Sequence, residues 1–144
     1  MSNFDVPDLE EVKVIAGERH LVCNQVLYHL QEPALERAVL PWCERHDVAV
    51  VGYSPFGHRN FPNTRTPGGR VLRQIAEEHN ATPRQVALRF LVSRRSVFTI
   101  PKSSSPEHVI EKADAGDLEL TEADIARIDK AFPVGPPPRE LPTL

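Results

Sequence analysis

Five consecutive apolar residues at positions 48–52 constrain the fold of this chain more than any other feature. A run this short and continuous is typical of a strand that is buried on both faces of a parallel sheet. Residues 21–28 and 97–100 form two further short apolar segments, and stretches with helical periodicity lie between and after them. The order strand, helix, strand, helices, strand, helices predicts an α/β protein with parallel strands and outer helices.

Local signals predict where the helices begin and where the chain is irregular. N-cap candidates stand before the helical patterns at Asp5, Thr82, Ser105 and Thr121, and Gln85 completes a capping box. We expect the first helix to bury an apolar face made by Leu9, Val12, Ile15 and Ala16. A further helix is predicted across Leu35, Ala38, Val39, Trp42 and Cys43. Residues 56–69 read as a long loop, and residues 133–144 as a proline-rich tail.

Composition and charge exclude several classes of function. The net charge of −3 and the absence of a basic stretch argue against a nucleic-acid or anionic-membrane partner. No apolar run reaches the roughly 18 residues of a membrane span, so we expect a cytoplasmic protein with no membrane partner. Cys23 and Cys43 lack metal-ligand spacing, which predicts no metal site and two buried, reduced thiols.

The number of predicted strands is too small for a self-sufficient sheet. A parallel sheet of three strands would leave two apolar edges unpaired, a problem that barrels remove by closing. We therefore expect further strands to come from another segment or from a partner.

Four segments, in this order and spacing, resemble the later strands of the aldo-keto reductase barrel. They are Ser2-Asn3-Phe4, Asn24-Gln25-Val26 with Tyr28-His29, Tyr53-Ser54-Pro55 with Gly57, and Ile100-Pro101-Lys102-Ser103 running on to Glu107, His108 and Glu111. The resemblance implies a partial (β/α)₈ TIM barrel over residues 1–132, with strands six to eight and their outer helices, followed by the tail. It also implies an NADP(H)-dependent oxidoreductase that transfers hydride to an aldehyde or ketone.

The resemblance assigns cofactor contacts to residues at the C-terminal ends of the strands, where such barrels build their sites. Ser2, Asn3 and Gln25 would hydrogen-bond the nicotinamide carboxamide, and Tyr53 would stack on the nicotinamide ring. The other implied contacts are Ser54, Pro55, Gly57, Lys102, Ser103, His108, Glu111 and Lys112. Residue types alone leave alternatives open: a helix cap for Ser2 or Asn3, a satisfied amide for Gln25, and a core tyrosine for Tyr53.

The phosphate end of this implied site has independent support and one departure from the family. Lys102 and Ser103 precede a helix that starts near Pro106, so a cation, a hydroxyl and free backbone N–H groups converge as an anion site. Lys102 read alone would be a solvated surface charge. The resemblance implies the phosphate on the adenosine ribose, hence NADP(H) over NAD(H). His108 and Lys112, however, replace Arg and Asn of the family's Arg-x-x-Glu-Asn pattern, and histidine binds phosphate more weakly than arginine, so NAD(H) stays possible.

The resemblance also defines what this sequence lacks. The family's proton donor, a tyrosine assisted by a lysine, an aspartate and a histidine, belongs to the first four strands, which have no counterpart in these 144 residues. We therefore assign no catalytic residue and expect no turnover of an aldehyde or ketone until the barrel is completed. The alternatives are a truncated non-enzymatic remnant and a dinucleotide-binding or regulatory module. We expect strands one to five to be encoded upstream of Met1, and the isolated chain to self-associate or to bind a complementing N-terminal fragment.

Overall fold

A computed structural model describes residues 1–17, 20–58, 60–136, 138 and 140–144. Short 3₁₀ helices at Ala34–Arg37 and Asp114–Gly116 accompany the main elements. In chain order these elements are α1 (Val6–Ala16), β1 (Cys23–Leu27), α2 (Val39–Arg45), β2 (Ala49–Tyr53), α3 (Pro67–Glu78), α4 (Pro83–Val92), β3 (Val97–Thr99), α5 (Pro106–Ala113) and α6 (Glu122–Ala131). The predicted order of strands and helices is confirmed.

Capping side chains fix the start of four helices, as predicted. The side chains of Asp5, Thr82, Ser105 and Thr121 each accept a hydrogen bond from the backbone N–H three residues further on, which satisfies a donor that has no partner within the helix. The Thr82 backbone N–H in turn donates to the side-chain oxygen Oε1 of Gln85 at 2.8 Å, which completes the predicted capping box.

Two helix predictions are corrected. The predicted apolar face of α1 buries Leu9, but Ile15 is 75% exposed, because the helix packs on the core through its first half. The helix predicted from Leu35 is broken into a 3₁₀ turn and α2. The break follows from Pro41, whose ring would clash with the carbonyl of Arg37 if one α-helix ran through both.

The loop after β2 ends earlier than predicted. Thr66 caps α3, and its side chain accepts from the Gly69 backbone, so Gly68 and Gly69 belong to the helix. Glycine is needed there, because a Cβ on Gly69 would lie 1.9 Å from the carbonyl oxygen of Asn63. The helix therefore starts where the loop backbone comes too close for any side chain.

The three strands form one parallel sheet in the order β1, β2, β3. Gln25 pairs with Val51, Leu27 with Tyr53, and Val51 with Phe98. Ser2 makes a parallel bridge to Gln25, so residues 1–3 extend the sheet beyond the outer edge of β1. Because the strands are parallel, the C-terminal ends of all three lie side by side at the same end of the sheet.

Only one face of this sheet is covered by helices. Val26, Val50 and Val97 point to the covered face and are buried, whereas Val51 is half-buried and Phe98 is 60% exposed on the other face. The prediction that residues 48–52 are buried on both faces is therefore wrong in this structure, because Val51 on the second face is only half-buried, although Leu27 on the same face is buried. We call this second surface, which carries Gln25, Val51, Tyr53 and Phe98, the open face.

The tail and the cysteines complete the description. Beyond α6 the described residues form no helix or strand, and the carbonyls of Val134 and Gly135 accept hydrogen bonds from Arg37. Cys43 is buried as predicted, but Cys23, at the start of β1, is only half-buried. None of the helices described is long and apolar enough to cross a membrane.

Candidate functional site

Three of the predicted site residues meet where residues 1–3 lie beside β1. The Asn3 backbone N–H donates to the Gln25 carbonyl at 2.8 Å, and the Ser2 hydroxyl donates to the same oxygen at 3.2 Å. Gln25 N–H in turn donates to the Met1 carbonyl at 3.0 Å. Backbone hydrogen bonds and the Ser2 hydroxyl thus bring Ser2, Asn3 and Gln25 together, and the side-chain amides of Asn3 and Gln25 take no part in this contact.

The backbone conformation and the side-chain oxygen of Asn3 are both unusual. Its backbone has φ 58°, in the left-handed region that asparagine tolerates better than most residues. Its side-chain oxygen Oδ1 is buried and has no hydrogen-bond partner among the described residues, while Asp5 caps α1 in its place. A buried acceptor without a donor lowers the stability of a folded protein, so a bound ligand that donates an N–H group to Asn3 Oδ1 would gain a favourable hydrogen bond.

A tight turn follows β2 beside this group. Ser54 has φ 52° and Gly57 has φ 68°, and the Gly57 N–H donates to the Ser54 carbonyl at 2.8 Å. Pro55 is buried between them. The sheet register places the half-buried Tyr53 on the same open face as Gln25, so both side chains are available to a ligand that lies across that face.

Four other predicted residues surround a single cavity at the far edge of the sheet. Its volume is about 280 Å³. The lining residues are Phe56, Arg84, Lys102, His108, Glu111 and Lys112. The Lys112 ammonium donates to the Lys102 carbonyl at 2.6 Å, which ties the segment after β3 to α5. We call this space the cationic cavity, because Arg84, Lys102 and Lys112 line it and Glu111 is the one carboxylate among its lining residues.

Glu111 fixes the position of α5 against α4. Its side chain accepts from the Thr82 hydroxyl at 2.9 Å, and its backbone carbonyl accepts from the Gln85 amide at 2.9 Å. His108 lies 3.2 Å from the second carboxylate oxygen. The hydrogen bond from Thr82 lowers the pKa of Glu111, burial opposes this, and the contact with His108 adds to the lowering. Glu111 is therefore both a structural anchor and a partial counter-charge to the cations.

Arg84 and Phe56 are lining residues that the sequence prediction missed. The Arg84 guanidinium lies 5.7 Å from the centre of the Phe56 ring and 5.3 Å from that of Phe61, both within cation–π range. One signal could have identified Arg84: it follows Thr82 in the first turn of α4, where the helix dipole disfavours a cation. A basic residue at that end suggests an anion nearby.

The remaining predicted residue lies in a neighbouring space. Ser103 lines a second cavity of about 500 Å³, between α4, β3 and α5, which it shares with Lys112. The Ser103 hydroxyl donates to the Ser105 carbonyl at 3.2 Å. The structure therefore gathers the predicted residues into two main groups, one around Gln25 and Tyr53 and one around Lys102. The turn after the middle strand β2, in which Gly57 lines a further cavity with Phe56 and Arg84, lies between them. The described residues contain no group of three or more His, Cys, Asp or Glu that could hold a metal ion.

Comparison with known proteins identifies the chain's relatives. Methylglyoxal reductase of Escherichia coli is 35% identical over 133 residues, which cover 92% of this chain and 47% of that protein. Glyoxal reductase of Bacillus subtilis is 37% identical over an alignment of 145 positions, which covers 98% of this chain and 49% of that protein. The chain thus spans about half the length of the curated relatives it matches.

Solved structures and a family model agree with these relatives. An aldo/keto reductase from Klebsiella pneumoniae in complex with NADP and acetate matches with a TM-score of 0.89 and 30% identity, over 99% of this chain and 50% of that one. A second structure from that organism, in complex with NADPH, matches with a TM-score of 0.87 and 31% identity, over 99% of this chain and 50% of the other. The model of the aldo/keto reductase family matches residues 1–132. The chain belongs to the aldo/keto reductase family.

Proposed function

We propose that residues 1–132 form strands six to eight, with their outer helices, of a (β/α)₈ reductase barrel that binds NADP(H). The chain would cover the C-terminal half of that barrel, and residues 133–144 would be its tail. The open face supports this proposal, because the apolar side chains of Val51 and Phe98 are what the interior of a closed barrel would bury.

The cationic cavity is the observation that carries the choice of cofactor. Arg84, Lys102 and Lys112 surround it with one opposing carboxylate, Glu111, so an anion entering it gains favourable interactions from three elements. The phosphate on the adenosine ribose distinguishes NADP(H) from NAD(H). A cavity with excess positive charge therefore favours NADP(H), although the His108 position is weaker than the family's arginine.

The group around Gln25 fits the opposite end of the same cofactor. The orphaned Asn3 Oδ1 would accept the carboxamide N–H, with Ser2 and Gln25 beside it, and Tyr53 would stack against the ring. The reduced nicotinamide, when bound, supplies a hydride. The residues of this chain would orient the ring so that one face meets the substrate.

The substrate would be a small aldehyde or ketone, and its reduction needs the completed barrel. The two bacterial relatives are named for methylglyoxal and glyoxal, which are small dicarbonyls. The family's proton donor has no counterpart in these 144 residues, and general acid help is worth roughly 10² to 10⁴ in rate. That favours a second candidate for the chain by itself, a dinucleotide-binding module that turns nothing over. Addition of a complementing N-terminal fragment separates the two, since only the reductase half would then gain activity.

Calorimetric titration of the full chain with NADPH and NADH tests the proposal. We expect tighter binding of NADPH, and we expect Lys102→Ala to reduce that preference. Lys130→Ala, which removes an exposed lysine from α6, is the matched control and should leave both affinities unchanged. An NADPH preference that Lys102→Ala does not alter would refute the assignment of the phosphate site.

A further inference from the structure

Arg84 occupies a position that its own helix disfavours. It stands in the first turn of α4, where the partial positive charge of the helix dipole repels a cation. Its side chain is exposed, and among the described residues its guanidinium makes no hydrogen bond. The negative charge of Glu111, which lines the same cavity, attracts Arg84, but this attraction leaves the N–H donors of the guanidinium unused.

Two aromatic rings hold the guanidinium in place. Phe56 and Phe61 meet edge to face, with ring centres 5.8 Å apart, and Arg84 lies within 6 Å of both centres. These contacts engage the faces of the rings and leave the N–H groups of the guanidinium available. A fork of N–H donors that is already positioned loses little side-chain entropy when it binds a phosphate through two oxygens.

The guanidinium of Arg84 shares the cationic cavity with other positively charged side chains. Arg84 lines the cationic cavity together with Lys102 and Lys112. Lys112 donates to the Lys102 carbonyl and lies 5.8 Å from the Phe56 ring centre, so part of its capacity is already in use. Arg84 and Lys102 have no such acceptor for their side chains in the described part of the chain. A doubly charged phosphate monoester would supply acceptors to both.

We propose that Arg84 is the guanidinium that binds the phosphate on the adenosine ribose and thereby sets the preference for NADP(H). This proposal rests on the proposed function of the cavity. It also accounts for the histidine at position 108, where the family pattern has an arginine. In this chain the guanidinium would come from Arg84 on α4 instead of from α5. Arg84 acts as a specificity-determining residue, because only the cofactor that carries this phosphate gains from it.

Calorimetry of the full chain with NADPH, NADH and adenosine 2′,5′-bisphosphate tests the proposal. We expect Arg84→Gln to weaken NADPH and the bisphosphate by about tenfold or more, and NADH by less than about twofold, because a charge-assisted pair with phosphate is lost. Arg84→Lys should recover only part of the affinity, since a lysine cannot bind in a bidentate manner. The matched control is Arg73→Gln on α3, where Arg73 is exposed and paired with Glu77, and it should change nothing.

Each result decides between the two levels of the proposal. If Lys102→Ala abolishes the NADPH preference and Arg84→Gln leaves it intact, the inference about Arg84 is wrong and the cavity assignment stands. Equal weakening of NADPH and NADH by Arg84→Gln would also overturn it, because the effect would then not depend on the ribose phosphate. A parent chain that fails to prefer NADPH, or that does not bind the bisphosphate, overturns the cavity assignment and the inference together. Arg84 is exposed, so the variants should keep the parent's circular dichroism.

Discussion

Replacement of Tyr28 by phenylalanine tests whether a buried polar network stabilises the sheet beneath the site. Tyr28 is fully buried directly after β1, and its hydroxyl donates to Glu36 at 2.6 Å. The other oxygen of Glu36 lies 3.1 Å from Arg94, which also reaches Asp129 at 3.2 Å. The network therefore joins the end of β1, the 3₁₀ helix, the segment before β3, and α6.

The magnitude follows from the charge on the acceptor. A hydrogen bond to a charged group contributes about 1.5–3 kcal/mol, so we expect Tyr28→Phe to lower the free energy of unfolding by about 2 kcal/mol. The ring itself is retained, and no cavity larger than a hydroxyl is left. For a chain of this length the unfolding entropy is about 0.3 kcal/mol/K, so the melting temperature should fall by about 7 °C.

Urea denaturation followed by circular dichroism measures this change, and the chain offers its own control. Tyr53 is the other tyrosine, and its hydroxyl has no hydrogen-bond partner among the described residues, so Tyr53→Phe should stay within about 0.5 kcal/mol of the parent. Protein concentration must be equal throughout, because association would add to the apparent stability. If Tyr28→Phe costs no more than Tyr53→Phe, the hydrogen bond to Glu36 contributes nothing net and the reasoning fails.

The same tyrosine predicts a pH dependence. Burial raises the pKa of Tyr28 well above its usual 10.0, and the charge and hydrogen bond of Glu36 raise it further. An acid whose pKa is raised by folding contributes stability that is complete below the unfolded value and is lost as the pH rises above it. The parent should therefore lose stability above about pH 10, and its advantage over Tyr28→Phe should shrink there. An advantage that stays constant or grows above pH 10 would contradict this.

Three further outcomes follow from the structure. The full chain should show no aldehyde-dependent oxidation of NADPH in an absorbance assay; a rate that survives repurification and is lost in Tyr53→Phe would contradict this. Gly69→Ala should lower the free energy of unfolding by about 3 kcal/mol in urea titrations, because its Cβ would meet the Asn63 carbonyl at 1.9 Å, whereas Gly116→Ala, with no atom within 4 Å, should be neutral or slightly stabilising. Sedimentation should show that the isolated chain self-associates and that Phe98→Ser weakens the association, since Phe98 is 60% exposed on the open face; equal association of both forms would exclude that face.

Features that depend on a few neighbouring residues were predictable from the sequence. The starts of α1, α4, α5 and α6 follow from capping side chains that act within three residues, and all four predictions are confirmed. The break before α2 was predictable in the same way, because Pro41 alone forbids a helix that includes Arg37. The apolar spacing from Leu35 to Cys43 suggested one continuous helix, because such spacing does not show that Pro41 lacks a backbone N–H.

Features that depend on distant elements were not predictable in this way. The apolar run at 48–52 looks the same whether a second layer covers it or not, so the half-burial of Val51 on the open face required the structure. Arg84 and Lys102 are 18 positions apart in the sequence, and only the packing of α4 beside α5, through Glu111, brings both to one cavity. Resemblance to a family pattern could not supply Arg84, since it lies outside the segments that carry the resemblance.

The two groups of site residues differ in how far this chain alone can build them. The cationic cavity is lined by α4, α5 and the loops after β2 and β3, and its geometry is held by hydrogen bonds within the chain, notably those of Glu111 and Lys112. The side chains of Gln25 and Tyr53 are only half-buried on the open face, so water can reach them. Hydrogen bonds and stacking are weakened by competing water, so the nicotinamide end should gain strength only when that face is covered. We therefore predict that binding of the phosphate and orientation of the nicotinamide ring are separable, and that the isolated chain retains the first without the second.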